Sequence, residues 1–155
     1  MCYIYVIDEI VTEENESLDP EPIKGGVQKM NRKEKAVEYF HSGCNCCQAV
    51  LSAFTDEQHT EEMKRMGAAF GLGMGNMEGT CGALVAAEML LGLKTYEGRP
   101  MIKKAAAVSE LFRTLSGATI CKEIKGRETG KVLCSCDDCV RNAVTIAESK
   151  LFQAD

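Results

Sequence analysis

The stretch Gly71-Leu-Gly-Met-Gly-Asn-Met-Glu-Gly-Thr-Cys-Gly-Ala83 delivers a single cysteine, Cys81, from a glycine-rich loop into the start of a predicted helix. Thr80 is predicted to cap this helix by accepting a backbone N–H bond, which places Cys81 in the first turn. Unpaired N–H groups and the helix dipole in a first turn favour a thiolate. Because glycines permit positive φ and close backbone approach, the loop is predicted to fold around a functional group. A flexible connector between helices is the alternative interpretation.

Helix signals lie on both sides of this loop. Capping residues and apolar periodicity predict helices over 31–42, 45–54, 60–70, 80–91, 100–115, 121–124 and from 135 or 137 to 151 or 152. Gly92 and Gly117 are predicted to end two of them, and Pro100 to occupy a first turn. Helix after helix at short spacing predicts an all-α fold, a single bundle of about five or six helices.

The N-terminal part of the chain differs in composition from the rest. Met1–Ile10 is rich enough in β-branched and aromatic residues for one strand, but no second strand is evident for it to pair with. Thr12–Gly26 is acidic and contains two prolines, as linkers do. Residues 1–28 are therefore predicted to be an extension and linker, usable in a homo-oligomer contact, and residues 29–155 a cysteine-rich helical redox domain.

Composition excludes several classes of partner. The net charge of −5 argues against nucleic acid and against an anionic membrane surface, because neither attracts an acidic protein. No apolar run approaches the length of a membrane span, and Met1–Val11 lacks the features of a secretory signal, so a cytoplasmic protein is expected. Nine cysteines is an odd number, and in a reducing compartment such cysteines bind metal or carry out redox chemistry more often than they staple a fold.

Four cysteines share one local position, the N-terminus of a predicted helix: Cys46, Cys81, Cys121 and Cys136. Placement at a helix start is predicted to lower the pKa of a thiol. If the four helix ends converge, their dipoles would stabilise an anionic thiolate cluster or a disulfide-forming pair. The alternative is that small apolar cysteines fill core space near the helix starts.

Four motifs carry a resemblance to a known family: Ser42-Gly-Cys-Asn-Cys-Cys-Gln-Ala-Val50, Gly79-Thr-Cys-Gly-Ala83, Cys121-Lys-Glu-Ile and Cys136-Asp-Asp-Cys-Val-Arg-Asn-Ala-Val144. From about Arg32 to Leu151 the chain resembles the C_GCAxxG_C_C family of redox-active proteins. The resemblance implies that the characteristic cysteines are again Cys46, Cys81, Cys121 and Cys136. It also implies a small helical protein with redox activity and an iron–sulfur cluster.

The chain departs from the family pattern at five positions. Ala86 stands where the motif has glycine, and the additional cysteines are Cys44, Cys47, Cys134 and Cys139. The pairs Cys44-x-x-Cys47 and Cys136-x-x-Cys139 have the spacing of a four-thiolate zinc site. Alternatively, the thiols at 44, 46 and 47 would act as resolving thiols that form disulfides with the characteristic four.

Other side chains near the cysteines are weaker candidates. His41 would be a base or ligand, although a solvent-facing histidine is the commoner case. Met74 and Met77 would line a site within the glycine loop. Three cations near Cys121 would be surface charges or would offset the charge of a cluster: Arg113, Lys122 and Lys125.

The sequence thus predicts a redox-active protein, an oxidoreductase or electron carrier. Its cofactor is predicted to be an iron–sulfur cluster bound by Cys46, Cys81, Cys121 and Cys136, which transfers electrons to a redox partner protein. The alternatives are a cofactor-free thiol–disulfide redox protein and a zinc-binding structural or interaction module.

Overall fold

The computed structural model describes residues 31–152, and these fold into seven α-helices without a strand. The helices are α1 (Arg32–His41), α2 (Cys46–Ala53), α3 (Thr60–Gly67), α4 (Gly82–Thr95), α5 (Ile102–Ser116), α6 (Cys121–Ile124) and α7 (Cys136–Glu148). Two short 3-10 helices, Ala68–Phe70 and Lys150–Phe152, follow α3 and α7. The predicted all-α fold is confirmed. The structure has seven helices where about five or six were expected, and one of the seven, α6, is a single turn. The strand predicted at Met1–Ile10 lies outside the described residues.

Helices α2 and α4 form the centre of the bundle. Almost every residue of α2 is buried, and α4 buries residues on all sides, as helices without a polar face must. α1, α3 and α4 pack against α2, while α7 packs against α1, α4 and α5. α7 is amphipathic: the residues that it buries recur at helical spacing, from Cys139 and Val140 to Ala143, Val144 and Ala147. The first turns of α2, α4 and α7 therefore start from a rigid core.

Several predicted helix boundaries are wrong by a few residues. α4 continues through Gly92 to Thr95, because Lys94 donates a hydrogen bond to the carbonyl of Ala147 and the extra turn is thereby anchored on α7. Pro100 precedes α5, which begins at Ile102. The α-helical part of α3 ends at Gly67, and only a 3-10 turn continues to Phe70.

The predicted caps are mostly confirmed. Asn45 and Gln48 form a reciprocal capping box at α2, Ser135 accepts the N–H of Asp138 at α7, and Gly117 ends α5 with a φ of 83°. Asn31 caps α1 through the N–H of Lys33. None of the helices within residues 31–152 combines the length and the apolar character needed to cross a bilayer.

Candidate functional site

Backbone hydrogen bonds next to Cys81 and Cys121 join the glycine loop to the segment that precedes α6. Residues Thr80 and Ile120 form an isolated antiparallel bridge. On either side of it, the N–H of Cys81 donates to the carbonyl of Thr119 at 2.8 Å, and the N–H of Cys121 donates to the carbonyl of Gly79 at 3.0 Å. Thr80 thus forms the bridge rather than the predicted cap, and Cys81 is itself the N-cap residue of α4.

Two glycines permit this close packing. A Cβ atom on Gly73 would lie 2.6 Å from the Cβ of Cys121, and the φ of Gly73 is +54°. A Cβ atom on Gly82 would lie 2.7 Å from the Sγ of Cys46 and 2.3 Å from the carbonyl oxygen of Phe70. All three distances are shorter than real Cβ contacts, so a side chain at either position would force its neighbours to shift and both positions favour glycine. The loop is therefore shaped around the cysteines, as predicted from its glycine content.

Non-glycine residues of the loop also adopt left-handed backbone conformations: Leu72, Met74 and Met77 have φ values of 52°, 60° and 66°. Such conformations are uncommon for residues with large side chains and persist where the surroundings impose them. Met77 accepts the N–H of Lys122 with its carbonyl, which ties the loop to α6. Leu72 and Met74 are about half exposed, so these two residues of the loop do not fill the core.

Asn45 positions Cys46 from the other side. Its side-chain oxygen accepts the N–H of Gln48, and its amide nitrogen donates to the carbonyls of Gly67 and Ala68 at 3.1 and 3.0 Å. One side chain therefore begins α2 and also satisfies the carbonyls that end α3. Cys46, the first residue of α2, is held against the glycine loop by this double contact.

The structure brings the four characteristic cysteines together with a fifth, Cys139, and these five define the cysteine centre. Cys81 interacts with both Cys46 and Cys139, and these interactions shift the pKa values of the thiols. Cys121 interacts electrostatically with Cys46 and with Cys136. Each of the predicted four lies at or immediately before the first residue of a helix. These cysteines are thus within electrostatic range of one another, and their convergence on one cofactor stays a prediction.

Backbone N–H groups point at two of these sulfur atoms. The N–H groups of Leu72 and Cys47 donate to the sulfur of Cys46, and the N–H of Ala83 donates to the sulfur of Cys81. These donors come from the first turns of α2 and α4 and from the glycine loop, where N–H groups lack intrahelical partners. They lower the energy of negative charge on sulfur.

The pKa values of the buried thiols do not follow the sequence-based prediction. Hydrogen bonding to Cys81 and burial raise the pKa of Cys46 far above its ordinary value. The hydrogen bond to Cys139, together with burial, raises the pKa of Cys81 to about 12. Burial and the neighbouring Cys46 and Cys136 raise the pKa of Cys121. The prediction of lowered values was wrong for these three, because desolvation and repulsion between adjacent thiolates outweigh the helix dipole. Ligation of a metal cation would therefore release protons.

Lys125 supplies a positive charge to the cysteine centre. Its Nζ donates to the Sγ of Cys136 at 2.6 Å. Burial of the ammonium lowers its pKa, but the contact with Cys136 and the attraction of Cys139 and Cys121 outweigh that effect and raise the pKa above its ordinary value. Of the three cations considered from the sequence, this is the one at the cysteines: Lys122 pairs with Glu78 and Glu128, and Arg113 pairs with Glu110.

The additional cysteines differ in their surroundings. Cys139 is 2% exposed and belongs to the cysteine centre. From the sequence it was considered only as the partner of Cys136 in a zinc site, on the spacing of three that puts both on one helix face. Cys47 is fully buried beside Cys46, and burial with the Coulombic effect of Cys46 raises its pKa to about 12. Cys134 is half-buried and touches the amide of Asn142 at 3.9 Å.

His41 lies at the surface and not among the cysteines. Its Nε2 pairs with the carboxylate of Asp137 at 3.0 Å, and its side chain is 61% exposed. This is the commoner surface role considered for it. A pocket of about 440 Å³ lies elsewhere, at the connection between α4 and α5, and its lining from Thr95 to Lys104 includes no cysteine.

The donor chemistry of the cysteine centre suits an iron–sulfur cluster, which is held by thiolates and tuned by N–H groups. In residues 31–152, however, no three or more Cys, His, Asp or Glu side chains are already grouped so that they could hold a metal ion. Ligation would therefore require the cysteine side chains to move closer together than they are in the structure. The zinc site proposed from the two Cys-x-x-Cys pairs stays a prediction.

Fold and site together define a small all-α protein with a buried cysteine centre. A family model described as "Putative redox-active protein (C_GCAxxG_C_C)" matches residues 44–150. The chain belongs to this family, as its motifs indicated. No curated protein and no solved structure matches the chain.

Proposed function

We propose that the chain is a redox protein in which Cys46, Cys81, Cys121 and Cys136 hold an iron–sulfur cluster that transfers electrons to a partner protein. When bound, the cluster would supply one-electron chemistry at a potential set by its surroundings. The observation that carries the proposal is that four cysteines at helix N-termini interact with one another: Cys81 with Cys46, and Cys121 with both Cys46 and Cys136.

The surroundings of these sulfur atoms support the proposal. N–H donors reach Cys46 and Cys81, and the Lys125 ammonium reaches Cys136. Donors and cations of this kind stabilise the added electron of a reduced cluster and raise its potential. Cys46, Cys81 and Cys121 are each less than 10% exposed, which protects sulfur ligands from solvent.

An edge of the cysteine centre approaches the surface, where an electron carrier must meet its partner. Cys136 is partly exposed at the start of α7. Leu72 and Met74 expose apolar side chains on the loop that covers the opposite side. Either route would bring a partner protein close to the sulfur atoms.

The test is iron and acid-labile sulfide content, with a visible absorption spectrum, of protein purified without oxygen. We expect both elements and charge-transfer bands in the wild type, and their loss in Cys81→Ser and Cys136→Ser. Cys134→Ser is the matched control, because Cys134 lies two residues before Cys136 but outside the cysteine centre, and it should retain the cluster. Protein that contains zinc alone would support the structural alternative. Protein that stays metal-free after reconstitution would refute the cluster.

A second candidate, cofactor-free thiol–disulfide chemistry, is favoured by a different observation. Cys81 interacts with both Cys46 and Cys139, so three thiols lie near one another. Thiols in contact are one oxidation step from a disulfide. A mass decrease on oxidation of metal-free protein, reversed by dithiothreitol, would support this function.

A further inference from the structure

Cys136 and Cys139 lie one turn apart on the same face of α7. Cys136 is the first residue of this 13-residue helix, and Cys139 is the fourth. Side chains three apart on a helix have Cβ atoms roughly 5–6 Å apart, and a disulfide needs about 3.5–4.5 Å. Cys136 has no intrahelical bond at its own N–H, whereas the N–H of Cys139 donates to the carbonyl of Ser135 at 3.0 Å, so closing the pair requires Cys136 to move toward Cys139.

The two thiols differ in access and in electrostatic environment. Cys136 is partly exposed, whereas Cys139 is 2% exposed. Cys136 alone of the two accepts the hydrogen bond from the Lys125 ammonium, at 2.6 Å. In thiol–disulfide exchange the attacking sulfur must be reached by the external disulfide, and of the two only Cys136 is accessible and lies against a positive charge. An accessible, cation-paired sulfur therefore stands in front of a buried one.

The interactions of Cys139 extend toward the interior of the protein. Cys139 interacts with Cys81, and Cys81 interacts with Cys46. The buried partner of Cys136 on α7 therefore belongs to the interior of the cysteine centre.

We propose that Cys136 and Cys139 form a dithiol/disulfide pair that exchanges with external disulfides, with Cys136 as the nucleophile and Cys139 as the resolving thiol. The substrate class is a small or protein disulfide, R–S–S–R. This assignment rests on the second of the two proposed functions and adds which pair reacts and with what. It also gives Cys139, which the family motif does not require, a chemical role.

The reaction has two balanced steps. The Cys136 thiolate attacks R–S–S–R, a bond forms between Cys136 and one substrate sulfur, and R–S⁻ leaves. The Cys139 thiol then loses its proton to solvent and attacks the Cys136 sulfur, which forms the Cys136–Cys139 disulfide and releases the second R–S⁻. The protein dithiol is oxidised by two electrons, the substrate disulfide is reduced to two thiols, and the reverse reaction oxidises a dithiol substrate.

The experiment uses the full chain, reduced and made metal-free with a chelator, with oxidised glutathione as the probe. Wild-type protein should release two glutathione molecules for each pair closed and retain none on Cys136. Cys139→Ser should stop after the first step and retain one glutathione on Cys136, as identified by peptide mass mapping. Cys134→Ser, which removes a partly exposed thiol two residues away, should behave as wild type. Lys125→Met should slow the first step about tenfold, and Lys122→Met should leave it unchanged.

The mapping of oxidised wild-type protein keeps the proposal falsifiable even if a variant fails to fold. A disulfide between Cys136 and Cys139 supports the pair. A disulfide between Cys46 and Cys81, or between Cys81 and Cys139, would overturn the pair and leave thiol–disulfide chemistry standing. Absence of any disulfide would overturn both the Cys136–Cys139 pair and the proposed thiol–disulfide function. Because the protein is metal-free throughout, each result is independent of the cluster measurement.

Discussion

Gly82→Ala probes how closely the loop and helices enclose the cysteine centre. The added Cβ would lie 2.3 Å from the carbonyl oxygen of Phe70, where ordinary contact begins at 3.4 Å, and 2.7 Å from the Sγ of Cys46. The carbonyl belongs to the backbone and cannot rotate away. Overpacking of this kind costs about 1–3 kcal/mol, and the preference of a helix for alanine over glycine recovers up to about 1 kcal/mol. A net loss of about 1–2 kcal/mol is expected.

The matched control is Gly92→Ala in the same helix, since no atom lies within 4 Å of a Cβ at Gly92. This variant should gain up to about 1 kcal/mol from helix propensity alone. For a chain of this size about 1 kcal/mol corresponds to a Tm change of roughly 2–4 °C. The same chemical change in one helix should therefore lower Tm at Gly82 and raise it at Gly92.

Thermal unfolding of reduced, metal-free protein, followed by far-ultraviolet circular dichroism without oxygen, measures both variants. Alkylation of Cys46 by iodoacetamide is a second readout, because displacement of its sulfur should open it to reagent and speed labelling in Gly82→Ala. Equal Tm values for Gly82→Ala and wild type, or a shift of the same sign in both variants, would contradict the packing described around Gly82.

Three further predictions concern stability. Asn45→Ala should lower the free energy of unfolding by about 2 kcal/mol, because one side chain caps α2 and also serves two carbonyls at the end of α3; Asn31→Ala, which loses one exposed cap bond, should cost less in the same urea titration. Ser52→Ala should raise that free energy by about 1 kcal/mol, since the buried Ser52 hydroxyl has no hydrogen-bond partner in the structure; no gain in urea titration would mean that a partner exists. Burial raises the pKa of Glu88 in the folded state, so the wild type loses stability as pH rises through that folded pKa. Glu88→Gln should therefore be the more stable protein at neutral pH, with the advantage disappearing in acid; a pH-independent difference would refute this cause.

Much of the fold could be predicted because its signals are local. Asn45 with Gln48, Ser135 and Gly117 mark helix ends through residues within a few positions of one another, and the structure uses each of them as expected. The boundary at Gly92 could not be predicted in this way. The helix continues past it because Lys94 bonds to a carbonyl of α7, 53 residues further along the chain.

The same distinction between local signals and tertiary contacts applies to the candidate site. Residue spacing alone identified four cysteines at helix starts, because a capping residue and the cysteine beside it are neighbours in the chain. The sequence also identified Lys125 as one of three cations near Cys121. It did not separate Lys125 from Lys122, since that choice depends on which side of the single turn α6 faces Cys136.

The sequence by itself determined the helical elements, the family and the four cysteines of its motif, because periodicity, capping and motif spacing are properties of short segments. Only the tertiary structure decided that Cys139 joins those four and that the thiol pKa values rise. Burial and the repulsion between thiolates come from segments far apart in the chain, and their sum exceeds the dipole of any one helix start.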